Sequence, residues 1–194
     1  MYVQITTRCN MLCSHCAMNC TAKGQDMTFK TFKQIVDMGY DSSIFIGGGE
    51  PTIHSQFEKF LFYALANSEY VGMVTNGKIT NRALALARIA NKEDCLFTCD
   101  LSIDPFHEPI DQRVINAFEG NIRDTSHNLT NAGRCDFGVK GFCIYDGDPF
   151  IKPNGNVYQC GCVDSPKVGN VFEGFNSLHI DGEWICHKKC RKVA

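Results

Sequence analysis

Tyr2-Val3-Gln4-Ile5-Thr6-Thr7-Arg8-Cys9-Asn10-Met11-Leu12-Cys13-Ser14-His15-Cys16 passes from a β-rich run directly into three cysteines spaced C-x3-C-x2-C. Tyr2 to Thr6 predicts a strand, and the cysteines fall on the loop that leaves it. This spacing lets three thiolates converge on one small object. A cubane cluster has four irons, so three cysteines leave one iron open to a small molecule, whereas electron-transfer clusters generally take four. A structural zinc site tolerates the same spacing, with Cys20 or His15 as its fourth ligand.

Outward from that loop, short β-rich runs alternate with amphipathic helical stretches, the pattern of repeated βα units building a parallel sheet. Phe29, Phe32, Val36 and Gly39 mark one helix face, Ser43 to Ile46 form a second strand, and Gly47-Gly48-Gly49-Glu50-Pro51 follows it at once. Ser55 and Glu58 predict a capping box, with Phe57, Phe60, Leu61, Ala64 and Leu65 as the apolar face behind it. Val71 to Thr75 predicts the third strand, Asn76-Gly77 the turn after it, Thr80 to Ala90 a helix, and Leu96 to Ile103 the fourth strand. Asp111 to Phe118 predicts a further helix, ended by Gly120. The rhythm weakens between Asn121 and Asp136. From Phe137 the chain becomes rich in Gly, Asn and Cys, with Phe142 to Tyr145 and Val157 to Gln159 expected as short strands around a turn at Asn154-Gly155. A boundary near residue 136 therefore divides the chain into residues 1-136 and 137-194.

The 194 residues can bury one good core with a small appendage. A net charge of -2 and a pI near 6.3, without a Lys/Arg block, give no extended nucleic-acid surface. No run approaches the ~18 apolar residues of a membrane span. Nor does the N-terminus resemble a secretory signal. Twelve cysteines in such a chain, taken with those absences, point to a reducing cytoplasm and to metal ligation.

The Cys9, Cys13 and Cys16 triplet, joined to Gly48-Gly49-Glu50 after the second strand, resembles the radical S-adenosylmethionine (SAM) superfamily. Thr75-Asn76-Gly77 and Leu101-Ser102-Ile103-Asp104 fit the same pattern. The resemblance implies an α/β fold built as a shortened, open, partial (βα) barrel. It also implies a 4Fe-4S cluster held by Cys9, Cys13 and Cys16, with the cofactor's amino end held by Gly48, Gly49 and Glu50. Asn76, Ser102 and Asp104 would belong to the cofactor site, the last two facing ribose or substrate. Two departures stand out. His15 occupies a position often aromatic in the family. The first 136 residues have room for four or five βα units, where six are common.

Cys143, Gly155 and Cys160 give C-x11-G-x4-C, with Cys186 and Cys190 near the end. This resembles the twitch and SPASM extensions of radical enzymes, a β-hairpin and short helix binding auxiliary clusters. It implies one auxiliary 4Fe-4S cluster on Cys143, Cys160, Cys186 and Cys190, with Cys162 as the alternative ligand. A zinc ribbon on the same residues is the competing reading. Cys95 and Cys99 read as small hydrophobes in a strand. Asp104, His107 and Glu108 are the catalytic candidates, on a loop where catalytic groups of barrel enzymes gather.

Function follows from the resemblance: reductive cleavage of SAM to a 5'-deoxyadenosyl radical that abstracts a substrate hydrogen, ending in oxidation, rearrangement or epimerisation. An external one-electron donor of flavodoxin or ferredoxin type is implied. With eight residues before Cys9, a small-molecule or nucleotide-derived substrate is expected, a ribosomal peptide being the alternative. A non-catalytic zinc-binding protein or iron-sulfur electron carrier would explain the cysteines, but would have no use for Gly48-Gly49-Glu50.

Overall fold

A computed structural model describes residues 1–92, 96–126, 129, 131–137, 148–162 and 165–173. Cys95, Cys143, Cys186 and Cys190 lie outside the described residues, as do the strand expected at 142–145 and the short helix expected near the end. In chain order the elements are β1 (Tyr2–Thr6), α1 (Phe29–Asp37), β2 (Ser43–Gly48), α2 (Phe57–Asn67), β3 (Tyr70–Thr75), α3 (Thr80–Ala90), β4 (Phe97–Ser102), α4 (Gln112–Ala117), β5 (Ile122–Arg123), β6 (Phe150–Ile151), β7 (Asn156–Tyr158) and β8 (Lys167–Asn170). They build one sheet in the order β5-β4-β3-β2-β1-β6-β7-β8. Strands β1 to β5 pair in parallel, and β6 adds in parallel on the far side of β1.

Alternation along the strands sorts the sheet into two faces. Val3, Ile5, Ile44, Ile46, Val71, Met73, Phe97, Cys99 and Leu101 point into the core, where helices contribute Phe32, Phe60, Leu61, Leu86 and Val114. Cys99 thus packs as a core side chain, and burial raises its pKa. The other face carries Tyr2, Phe45, Tyr70, Val74 and Ser102, and it lines a cavity of about 650 Å³. Tyr2 is stacked between Phe45 and Phe150, with centroids at 5.5 and 4.8 Å. Thus one strand period yields both a helix-covered core and a cavity wall.

Helix entries differ in part from expectation. Thr28 caps α1, its side chain accepting from Thr31 N at 3.1 Å. The Ser55/Glu58 capping box does not form. Gln56 takes the N-cap position of α2 without a side-chain cap bond, because the chain arrives through a 3-10 turn, Pro51–Ile53. His54 Nδ1 accepts from Gln56 N instead, and Glu58 pairs with Arg82. At the other end, the Asn154-Gly155 turn joins β7 to β6. Gly155 has a φ of 80°, and its N–H donates to Lys152 O. Such a tight turn pairs the residues beside it, so β7 finds its partner at Phe150–Ile151.

Candidate functional site

In a parallel sheet the loops leaving the strand C-termini gather along one edge. Here that edge carries the cysteine loop after β1, Gly48-Gly49-Glu50 after β2, Thr75-Asn76 after β3 and Ser102 to Glu108 after β4. Cys9, Cys13, His15, Cys16, Gly48, Gly49, Glu50, Thr75, Asn76, Ser102 and His107 all line the one cavity.

The glycines act first on their own protein. A Cβ on Gly48 would lie 2.5 Å from Thr6 O, and one on Gly49 would lie 2.1 Å from Arg8 O. Without side chains, Gly49 N reaches Thr6 O and Glu50 N reaches Arg8 O, each at 2.9 Å. The end of β2 is thereby pressed against the segment that carries Cys9. Arg8 continues the tie, with Nη2 2.7 Å and Nε 3.0 Å from the Asp26 carboxylate, where the loop returns.

Glu50 is only 1% exposed. Its Oε1 accepts from Thr52 N, Thr52 Oγ1 and Thr75 Oγ1, while Oε2 accepts, among the described residues, from Asn76 N alone at 2.7 Å. Burial raises its pKa against the pull of these donors. Among the described residues no cation pairs with it. A buried carboxylate without a countercharge is costly, and Oε2 keeps lone-pair capacity on a cavity-lining residue. Asn76 also reaches across to the cysteine loop, its Nδ2 donating to Asn10 Oδ1 at 2.9 Å and lying 3.7 Å from Cys9 Sγ.

The cysteine loop is held from behind by residues that spacing does not reveal. Arg134 donates from Nε to Cys13 O at 3.1 Å and from Nη1 to Cys20 O at 2.7 Å and Asn19 Oδ1 at 3.1 Å. Its backbone N–H donates to Cys16 O at 3.0 Å. Gly133 allows that approach: its φ is 63°, and a Cβ would sit 2.4 Å from Ala17 O. A glycine beside an arginine in a segment of weak periodicity is too common a pair to have announced this. Burial pushes the Cys13 thiol up to about 11 and raises Cys9. Cys16 is shifted the other way by a side-chain hydrogen bond with Cys20, whose own thiol is raised. Cys20 is thus tied to the triplet.

The remaining predicted residues divide. Ser102 lines the cavity. Asp104 is turned from it, its carboxylate meeting Phe106 N, Thr125, His15 and His107. Glu108 forms an ion pair with Lys78, which also donates to Asn10 O. Cys160 and Cys162 are buried together against Ala132, with Ala17 packed on them from the cysteine loop.

Three thiols and a buried carboxylate lacking a cation, on one cavity, form a donor set that fits an iron-sulfur cluster and a ligand bearing an ammonium group. Comparison with known proteins agrees. The chain is 29% identical over 138 residues to mycofactocin maturase MftC of Mycolicibacterium smegmatis, covering 69% of this chain and 34% of that protein. It is 30% identical over 108 residues to an S-adenosylmethionine-dependent nucleotide dehydratase of Selenomonas ruminantium, covering 53% of this chain and 39% of the relative. The chain thus spans little more than a third of these curated relatives. The fold is similar to that of anSMEcpe with bound AdoMet and a peptide, with a TM-score of 0.61 and 15% identity, over 90% of this chain and 77% of that one. SuiB of Streptococcus suis bound to precursor peptide SuiA gives a TM-score of 0.63 at 13% identity, over 90% and 62%. The profile of the Radical SAM superfamily matches residues 3–114, from β1 into α4. A match over more than half of the chain, covering every loop that faces the cavity from β1 to β4, makes this protein a member of the radical SAM superfamily.

Proposed function

We propose that the chain binds a 4Fe-4S cluster through Cys9, Cys13 and Cys16 and S-adenosylmethionine through Glu50, Asn76 and Ser102, and that it modifies a peptide. The observation that carries the cofactor reading is Glu50, a buried carboxylate that no cation of the described residues meets, at a cavity that three thiols share. When bound, cluster and cofactor would supply reductive cleavage of S-adenosylmethionine and hydrogen-atom abstraction from the substrate. The protein's residues orient and enclose. Glu50 would hold the cofactor's ammonium group through Oε2, which among the described residues accepts from Asn76 N. Gly48 and Gly49 draw the end of β2 close to Cys9, and Asn76 bridges both by its bonds to Glu50 and Asn10. Tyr2 and Phe45 floor the cavity and exclude water. An external flavodoxin- or ferredoxin-type donor would supply the electron.

The substrate reading departs from the small molecule that the sequence suggested. A maturase among the relatives and peptides in two similar folds support a peptide. A nucleotide-derived substrate is the second reading, supported by the dehydratase relative. Residues 137-194 are proposed to form a twitch-type extension to the barrel of residues 1-136, with an auxiliary 4Fe-4S cluster on Cys160 and on Cys143, Cys186 and Cys190, or Cys162. The burial of Cys160 beside Cys162 supports a closed site there.

The test is anaerobic. Protein reconstituted with iron and sulfide, then given dithionite and S-adenosylmethionine, should release 5'-deoxyadenosine. Glu50→Gln should keep its iron but bind the cofactor about 10- to 100-fold more weakly, the worth of one charged hydrogen bond. Zinc in place of iron, with no 5'-deoxyadenosine formed, would overturn the reading.

A further inference from the structure

His15, Asp104 and His107 meet at a point where the cofactor reading assigns them no common task. The Asp104 side chain is fully buried, and those of His15 and His107 are 11% and 9% exposed. His15 Nε2 lies 3.2 Å from Asp104 Oδ2, and His107 Nδ1 lies 2.9 Å from Oδ1. The carboxylate is held from the other side by Phe106 N at 2.9 Å and Thr125 Oγ1 at 3.3 Å. A carboxylate simply accepting from two imidazoles would align both ring N–H groups on it. At His107 that alignment is missing: among the described residues its Nδ1 has no hydrogen-bond partner despite the 2.9 Å approach, while His15, which turns Nε2 to the carboxylate, leaves its own Nδ1 without a partner. Both atoms are buried, where an unsatisfied nitrogen is costly. One donor atom from each residue lies within 4.8 Å of the other two, and both rings line the cavity.

We propose that His15, Asp104 and His107 bind a divalent first-row cation at the wall of the cavity, where it would hold an oxygen of the substrate. Two imidazoles and one carboxylate suit zinc, manganese(II) or iron(II). Tetrahedral bonds of ~2.0–2.2 Å set donors roughly 3.3–3.6 Å apart, a spacing close to the 2.9 and 3.2 Å between the imidazole nitrogens and the Asp104 carboxylate oxygens. Three protein ligands leave a position open towards the cavity, the arrangement of catalytic rather than structural sites. A carbonyl, carboxylate or hydroxyl oxygen of the substrate would occupy it. Thr125 and Phe106 N orient the carboxylate, as outer partners do at metal sites. Only the substrate role rests on the proposed function; cation binding does not.

The test uses protein whose cysteines are already loaded with iron and sulfide. It is equilibrated anaerobically with zinc chloride, desalted and counted for zinc and iron, and its zinc shell is read by X-ray absorption. About one zinc per chain should be retained, in a shell of nitrogen and oxygen at ~2.0–2.1 Å. Asp104→Asn and His107→Gln should weaken binding beyond the ~10- to 100-fold typical of outer-shell changes, and Thr125→Val should fall within that range. Zinc that is not retained, that is bound through sulfur, or that is retained equally by Asp104→Asn and His107→Gln would overturn the proposal. Should those variants lose iron through misfolding, the wild-type shell still decides, since imidazole and sulfur scatter differently. Failure of the radical chemistry would appear separately, as missing 5'-deoxyadenosine with the nitrogen and oxygen shell intact.

Discussion

Cys9, Cys13 and Cys16 stand partly exposed on the cavity wall, whereas Cys160 and Cys162 are only 2% and 1% exposed, packed against Ala132 and Ala17. Ala17, next to Cys16 in the chain, packs on the second group, while only the first lines the cavity. An open site can exchange a small ligand at its metal; a closed one can only hold or relay. Loop geometry makes the distinction, because Arg134 and Gly133 grip the backbone of the first group from behind and leave its thiols turned to the cavity. Catalysis is thus proposed for one set of cysteines and support for the other.

The most direct way to break that comparison is to remove one thiol from each group. Cys13→Ala should abolish 5'-deoxyadenosine formation and lower the iron count by about four per chain. Cys160→Ala should lose a similar amount of iron yet still cleave the cofactor. If Cys160→Ala eliminated cleavage while Cys13→Ala retained it, the open and closed roles would be exchanged.

Arg134 sharpens the comparison, since it belongs to neither group and touches the backbone of the first. Arg134→Ala removes side-chain bonds to Cys13 O, Cys20 O and Asn19, and should destabilise the protein by about 2–3 kcal/mol. Urea unfolding measures this, and the loop's loosening should also appear as faster decay of the cluster's visible absorbance in air. Arg134→Lys should recover little, because one ammonium cannot span carbonyls that a planar fork reaches together. Full recovery by lysine would make charge, not geometry, the cause.

How far the sequence revealed this arrangement depended on whether the constraint was local. Cys9, Cys13 and Cys16 were legible because three cysteines in eight residues form a pattern, and the first four strands were legible from apolar runs at regular intervals. Gly48, Gly49 and Glu50 stood out together as the expected holders of the cofactor's amino end; what the sequence did not disclose is that the two glycines make room for Thr6 O and Arg8 O of their own chain. Arg134 grips carbonyls 114 and 121 residues away, a contact that no spacing encodes. The Ser55/Glu58 box failed because a local propensity was overridden by the turn that Pro51 and the buried Glu50 impose. His107 was noticed by position alone; its convergence with His15 required the loops after β1 and β4 to meet.

Glu50 supplies the smallest effect, and its sign is fixed by burial. Desolvation raises its pKa in the folded protein, against the opposing bonds from Asn76 N, Thr52 and Thr75. The ionised form is therefore disfavoured by folding: its stability contribution is most favourable below the unfolded pKa and is lost as the pH rises through the folded one. In cluster-free protein the Tm difference between wild type and Glu50→Gln should shift in favour of wild type as the pH falls from neutral, because glutamine does not titrate. An ammonium ligand acts in the opposite sense, favouring the carboxylate. Cofactor binding by the loaded protein should then release a proton, and affinity should rise with pH across that interval in wild type but stay flat in Glu50→Gln. Equal pH dependence in both proteins would move the titrating group away from β2 and onto the cysteine loop, and the open site would owe its pH response to the thiols instead of to the carboxylate behind them.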